Sequence, residues 1–117
     1  MPMHYYEKAQ TEFKPQLLVG NNVFLGDIFS SEKMDAEKPI SCGLYRLEQG
    51  EPLVYTYTYH EMKIIIEGEF HISDETGKSV IGKPGDVFHF EKGATITFTT
   101  PNYGLAFYTG QRTEGAA

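Results

Sequence analysis

The segment VYTYTYHEMKIIIEGEF, residues 54–70, alternates tyrosine with threonine, passes through a His-Glu pair and ends in an aliphatic run closed by Glu67-Gly68. Side chains of an extended strand point alternately to its two faces. If one strand runs through the segment, Tyr55, Tyr57, Tyr59, Glu61 and Lys63 share one side, and His60, Met62, Ile64 and Ile66 share the other. Three phenols, a carboxylate and an ammonium on one face predict a polar, aromatic site inside the fold. The aliphatic face needs a cover, either from another sheet that includes the N-terminal segment or from a second copy of the chain.

Outward from this segment, turn signals recur at short intervals, among them Gly20-Asn21-Asn22, Gly26-Asp27, Asp74-Glu75-Thr76-Gly77 and Lys83-Pro84-Gly85-Asp86. Between them lie short runs rich in β-branched and aromatic residues, at 23–25, 43–47, 53–59, 62–67, 69–73, 79–81, 86–90, 94–99 and 105–108. That spacing reads as an all-β sandwich or barrel. The helical pattern is weak throughout, and its best stretch, Ser31 to Lys38, is expected to be a loop or a single turn. Strand parity sends Phe88 and Phe90 one way and Val87 and His89 the other, and places Ile96 and Phe98 opposite the threonines. Phe88, Phe90, Ile96, Phe98 and Tyr45 are therefore the expected barrel interior. His60, His71 and His89 fall on outward positions, and His4 lies in an N-terminal arm.

At 117 residues the chain has the length of a single domain. Its expected core spans about 20–112, with an arm, 1–19, packed on the barrel or on a partner subunit. A net charge of −6 and the lack of a basic cluster argue against a nucleic-acid partner. Apolar runs are too short to span a membrane, and the first residues do not form a secretory signal. Cys42 is the only cysteine, so no intramolecular disulfide forms and a cytoplasmic location is expected.

Two motifs carry a resemblance. Gly85-Asp86-Val87-Phe88-His89-Phe90-Glu91-Lys92-Gly93-Ala94-Thr95-Ile96 resembles the second conserved motif of the cupins, and Glu61 followed by Gly68 resembles the end of the first. Within the cupins, Tyr57 to Phe70, Lys83 to Val87, Lys92 to Phe98 and Tyr103 to Tyr108 are similar to the ethanolamine-utilisation protein Q group. The resemblance implies a single-domain cupin jelly-roll β-barrel (a double-stranded β-helix), often dimeric, whose interior commonly holds Fe, Mn, Ni or Zn. It also places the usual metal ligands at positions 55, 57, 61 and 96, which here are Tyr55, Tyr57, Glu61 and Ile96. Three of the four ligands are replaced, and neutral tyrosine and isoleucine are poor donors for such metals.

A small-molecule-binding cupin is therefore expected, with no cofactor and with acid–base chemistry of an isomerase, dehydratase or lyase. Glu61, Lys63 and Tyr57 are the candidate catalytic residues. Tyr45, Tyr55, Tyr59, Phe88, Phe90, Ile96, Phe98 and Tyr108 are the candidate substrate-binding residues. An acid placed between an apolar surround and a neighbouring cation is subject to the opposed influences found at tuned proton-transfer sites. Two alternatives stay open: a metal-dependent cupin using Glu61 and His60 with a tyrosinate, and a non-catalytic binding or assembly cupin whose barrel is filled by its own rings. A homodimer is expected in each case.

Overall fold

Short runs of β-branched and aromatic residues, punctuated by glycine turns, leave the chain little choice but strands. The computed structural model describes residues 2–117. One helical turn, α1 (Ala9–Glu12), precedes β1 (Gln16–Val19), β2 (Val23–Ser30), β3 (Ser41–Glu48), β4 (Leu53–Thr56), β5 (Glu61–Gly68), β6 (Phe70–Ser73), β7 (Ser79–Gly82), β8 (Val87–Phe90), β9 (Thr95–Thr99) and β10 (Tyr103–Gly110). A six-stranded sheet has the order β1-β2-β3-β10-β5-β8, and a four-stranded sheet the order β4-β9-β6-β7. All pairings are antiparallel. The two sheets enclose one core in a jelly roll.

The segment at 54–70 is not one strand. It breaks at residues 57–60, where the chain leaves the four-stranded sheet as β4 and enters the six-stranded sheet as β5. The inward parity survives because the crossing residues stay tied to the barrel. Tyr57 donates its N–H to the Ala94 carbonyl at 2.9 Å and accepts from Gly93 N–H at 2.7 Å. A second crossing follows at Gly68, whose φ of +69° and proximity to the Tyr103 carbonyl leave no room for a side chain. The Gly26-Asp27 pair, expected to be a turn, lies inside β2, with a local register shift after Asp27. The segment at 31–38 is a turn-rich loop, as its composition implies.

Cross-strand registers lay out the six-stranded sheet as rows. On the inner face one row runs Asp27, Gly43, Tyr108, Lys63, Phe88 across β2, β3, β10, β5 and β8. Gly43 makes this row workable, because a Cβ there would strike both the Gly26 carbonyl oxygen and the Tyr108 hydroxyl. The missing side chain lets the Tyr108 phenol pass over β3 and donate to Asp27 Oδ1 at 2.5 Å. Facing rings fill the remaining space, with Tyr45 near Phe70 and Phe98, and Phe90 near Phe98, at centroid distances of 5.3–5.6 Å.

The outer face carries an apolar row through Gly26, Leu44, Phe107, Ile64 and Val87. The N-terminal arm covers one end, with the Phe13 ring against Gly26 and Gln10 Nε2 donating to Glu67 Oε2 at 2.9 Å. At the other end Val87 is 70% exposed, and Met62 and Phe107 are also open to solvent.

Gly43→Ala places a methyl group against backbone on one side and a buried hydroxyl on the other. It is expected to lower unfolding stability by about 3 kcal/mol in urea titrations, near the upper end of typical overpacking costs. A change below about 1 kcal/mol would show that β2 and β3 can separate to admit it.

Candidate functional site

All five inward residues of the 54–70 segment converge on one space. Tyr57 donates its hydroxyl hydrogen to Glu61 Oε2 in a short bond, and Lys63 Nζ lies 3.2 Å from the same oxygen. Both side chains of the ion pair are only 3% exposed. The Tyr55 hydroxyl bonds the Tyr59 hydroxyl at 3.2 Å. The Lys63 ammonium also sits over the Tyr45 ring at 4.3 Å, Phe98 at 4.7 Å and Phe90 at 5.5 Å. Such contacts stabilise a cation that has lost its water. Tyr57 stacks on Phe90 at 5.3 Å and meets Tyr55 edge to face at 4.8 Å.

These residues line a cavity of about 180 Å³ formed by Tyr45, Tyr55, Tyr57, Tyr59, Glu61, Lys63 and Phe98. Leu18, Val19, Leu25, Leu53 and Ala117 complete its lining. Not every expected site residue faces it. Phe88, Phe90 and Ile96 instead line a wider cleft of about 820 Å³ between β8 and the β6–β7 hairpin. Phe90 and Phe98 thus meet edge to face between the two spaces. Tyr108 lines neither, since its hydroxyl is committed to Asp27.

Burial raises the pKa of Tyr57 far above that of free tyrosine, and the Glu61 carboxylate that accepts its hydrogen bond pushes in the same direction. Tyr45 and Tyr59 are raised as well, each first by burial. Every phenol of the cluster for which a shift is resolved therefore keeps its proton at neutral pH. Burial draws Lys63 below its ordinary 10.5, with the Glu61 carboxylate opposing.

A second buried ion pair flanks the first. Arg112 grips Asp27 through Nη1–Oδ2 at 2.9 Å and Nη2–Oδ1 at 2.8 Å. Asp27 also accepts from Tyr108 and from Gly115 N–H. Arg112 lies 5.5 Å from the Tyr59 ring, which links the two clusters. Burial alone would raise the Asp27 carboxyl, but the guanidinium and the hydrogen bonds from Gly115 and Tyr108 outweigh it and hold the group below 3.8. Neither Asp27 nor Arg112 was legible as a site residue, because 85 positions separate them. Leu18 and Val19 were not legible either, since they lie on β1, whose residues show no alternation.

The residues present do not fit a transition metal. Tyr57 holds its proton, and Ile96 offers no donor. His60 is exposed on the outside, where its Nδ1 accepts from Lys92 N–H at 3.2 Å and its ring lies 5.6 Å from that of His89. His71 pairs with Glu69 at 2.7 Å, away from the cavity. Among the described residues, no three His, Cys, Asp or Glu side chains gather as a metal group. Nor, among the described residues, is any helix long and apolar enough to cross a membrane.

Ten strands in this order, a barrel interior as the site and a single carboxylate in it define a small cupin. An RmlC-like cupin from Shewanella frigidimarina superposes with a TM-score of 0.68 at 18% identity, over 93% of this chain and 90% of that one. The family follows from residues 19–112, which match the model for "Ethanolamine utilisation protein EutQ", so the chain belongs to that family. The EutQ protein of Clostridium difficile shares the fold, with a TM-score of 0.65 at 23% identity over 81% of this chain and 70% of that one. The protein named "Acetate kinase EutQ" in Salmonella typhimurium is 43% identical over 47 residues. That match spans 40% of this chain and 20% of the relative's own length.

Asp27→Asn leaves the Arg112 guanidinium buried without its counter-charge. It is expected to cost about 3 kcal/mol at neutral pH, as removal of one partner of a buried pair usually does. Because folding depresses the Asp27 carboxyl, the stability it supplies is complete above the unfolded value near 3.8 and is lost as pH falls through the still lower folded value. Urea midpoints of the two proteins should therefore differ by a constant amount above about pH 5 and converge as the pH falls below the unfolded value. A gap that persists unchanged at the acid end would remove Asp27 as the titrating group.

Proposed function

We propose that the barrel cavity binds a small organic molecule and that Glu61 moves a proton on it, as in isomerase, dehydratase or lyase chemistry. The observation that carries this reading is the placement of Glu61. It is a buried carboxylate on the wall of a cavity, with a phenol and an ammonium both held on Oε2. Those bonds leave Oε1 outside the network, which suits a base that takes a hydrogen from carbon. Tyr57, still protonated, can return a proton, and Lys63 can hold an oxygen on which negative charge develops. Tyr45, Tyr55 and Tyr59 would orient the ligand. Phosphoryl transfer, named for the Salmonella relative, is less well supported here, since a cavity of about 180 Å³ whose charges cancel offers little for a nucleotide triphosphate.

Isomerisation, dehydration and many lyase reactions share one first step, abstraction of a proton beside a carbonyl. Small enolisable ketones such as cyclohexanone, incubated with the protein in heavy water, are expected to exchange those protons, as read by NMR. Glu61→Gln should slow the exchange at least 100-fold, the lower range for a positioned base. The amide still accepts from Tyr57, and Lys63 can shed its proton, so the variant should remain folded. Equal exchange in both proteins would remove Glu61 from the chemistry.

The reading includes a cytoplasmic homodimer, in which a second copy covers Met62, Val87 and Phe107 on the outer face. The support is the apolar row itself, open at the end that the N-terminal arm does not reach. Sedimentation should give twice the 13.2 kDa chain mass, and Phe107→Lys should halve it. A wild-type chain that sediments as a monomer would refute the pairing.

A further inference from the structure

We infer that the tyrosine-lined cavity takes an uncharged molecule of roughly seven to nine non-hydrogen atoms, whose carbonyl or hydroxyl oxygen accepts the hydrogen of the Tyr45 hydroxyl. This deepens the reading of the cavity as a ligand site and does not depend on the acid–base role of Glu61.

The first support is charge. Glu61 and Lys63 neutralise one another, as do Asp27 and Arg112 alongside. A proton passing from Lys63 to Glu61 would leave the sum unchanged. A carboxylate or ammonium ligand would thus bring an unmatched charge into a site walled mainly by rings and aliphatic side chains, and such burial is costly. An uncharged ligand carries no such cost.

The second support is Tyr45. It is 1% exposed and lines the cavity, yet its hydroxyl meets no acceptor among the described residues. Phe70 and Phe98 wedge the ring at 5.4 and 5.3 Å, and the Lys63 ammonium lies on its face. The ring is therefore held in place, and its hydroxyl cannot swing to a partner elsewhere. A buried donor without an acceptor is unfavourable in a free protein unless something other than folding keeps it there. Burial also keeps the phenol protonated, so what it offers a ligand is a hydrogen.

The third support is size and lining. A cavity of about 150 Å³ walled by apolar side chains holds a benzene ring, and this one measures about 180 Å³. The side chains of Leu18, Val19, Leu25 and Leu53 in the same lining suit an apolar body. A six-membered ring or short branched chain with one polar oxygen matches that combination.

NMR titration of the full chain with four probes of similar bulk tests the inference: cyclohexanone, cyclohexanecarboxylate, cyclohexylammonium and methylcyclohexane. Cyclohexanone is expected to bind in the millimolar range, at least tenfold more tightly than either ion. Tyr45→Phe should weaken cyclohexanone about tenfold, the effect of one net hydrogen bond, and leave methylcyclohexane unchanged. The Tm of the unliganded variant should stay level or rise, since the change removes a hydroxyl that folding had left without a partner. Equal binding of the ions, an unchanged ketone affinity in Tyr45→Phe, no binding of any probe, or a fall in Tm would each overturn the inference. If Glu61→Gln leaves proton exchange intact while the probes follow the expected order, the acid–base reading fails and the ligand class stands.

Discussion

A charge inside a protein of this size has to be answered nearby, and the Glu61–Lys63 pair sets what surrounds it. At 3.2 Å the two charges compensate for lost water only in part. The balance comes from the Tyr57 hydroxyl on the same carboxylate oxygen and from three rings around the ammonium. Those requirements fill the barrel with aromatic residues and fix their orientations. They also explain why rings come from both sheets, with Tyr45 on β3 and Phe90 on β8 in one sheet and Phe98 on β9 in the other. Replacing the pair with aliphatic side chains of similar volume need not destabilise the barrel.

The Asp27–Arg112 pair follows the same rule at the neighbouring end of the interior. It fastens the residues after β10 to β2 and places Tyr108 across Gly43. Small residues on β10 and β3 are the counterpart of the large rings. A side chain at Gly104 would strike Phe70, and one at Gly110 would crowd Tyr59. Large residues on one face and small ones on the facing strands let two curved sheets close at native density. The same closure leaves two spaces of unlike character. One is narrow, tyrosine-lined and internally neutral in charge, and the other is a broad cleft beside the β6–β7 hairpin.

The sequence by itself determined the class of fold. Alternation within short runs and the glycine turns between them needed no tertiary information, because the period of a strand is local. Nine of the ten strands lie where those runs fall, and β1, four residues with no alternation of exposure, was the one without a local signal. Glu61 and its tyrosines were legible because the motif spacing pointed to them. The outward histidines were legible from parity alone.

Only the tertiary structure decided how those residues are shared out. Tyr57 and Lys63 reach one carboxylate, and Tyr59 joins them in one cavity, although the strand expected to carry them is broken in two, because the break coincides with the crossing between sheets. Phe88, Phe90 and Ile96 have the parity of site residues but open onto another cleft. Tyr108 has it too, and is claimed by an aspartate two strands away in the sheet. Parity states which face a side chain takes and nothing of what waits there. That depends on cross-sheet distance and on charges brought together from 85 residues apart, which no local pattern encodes.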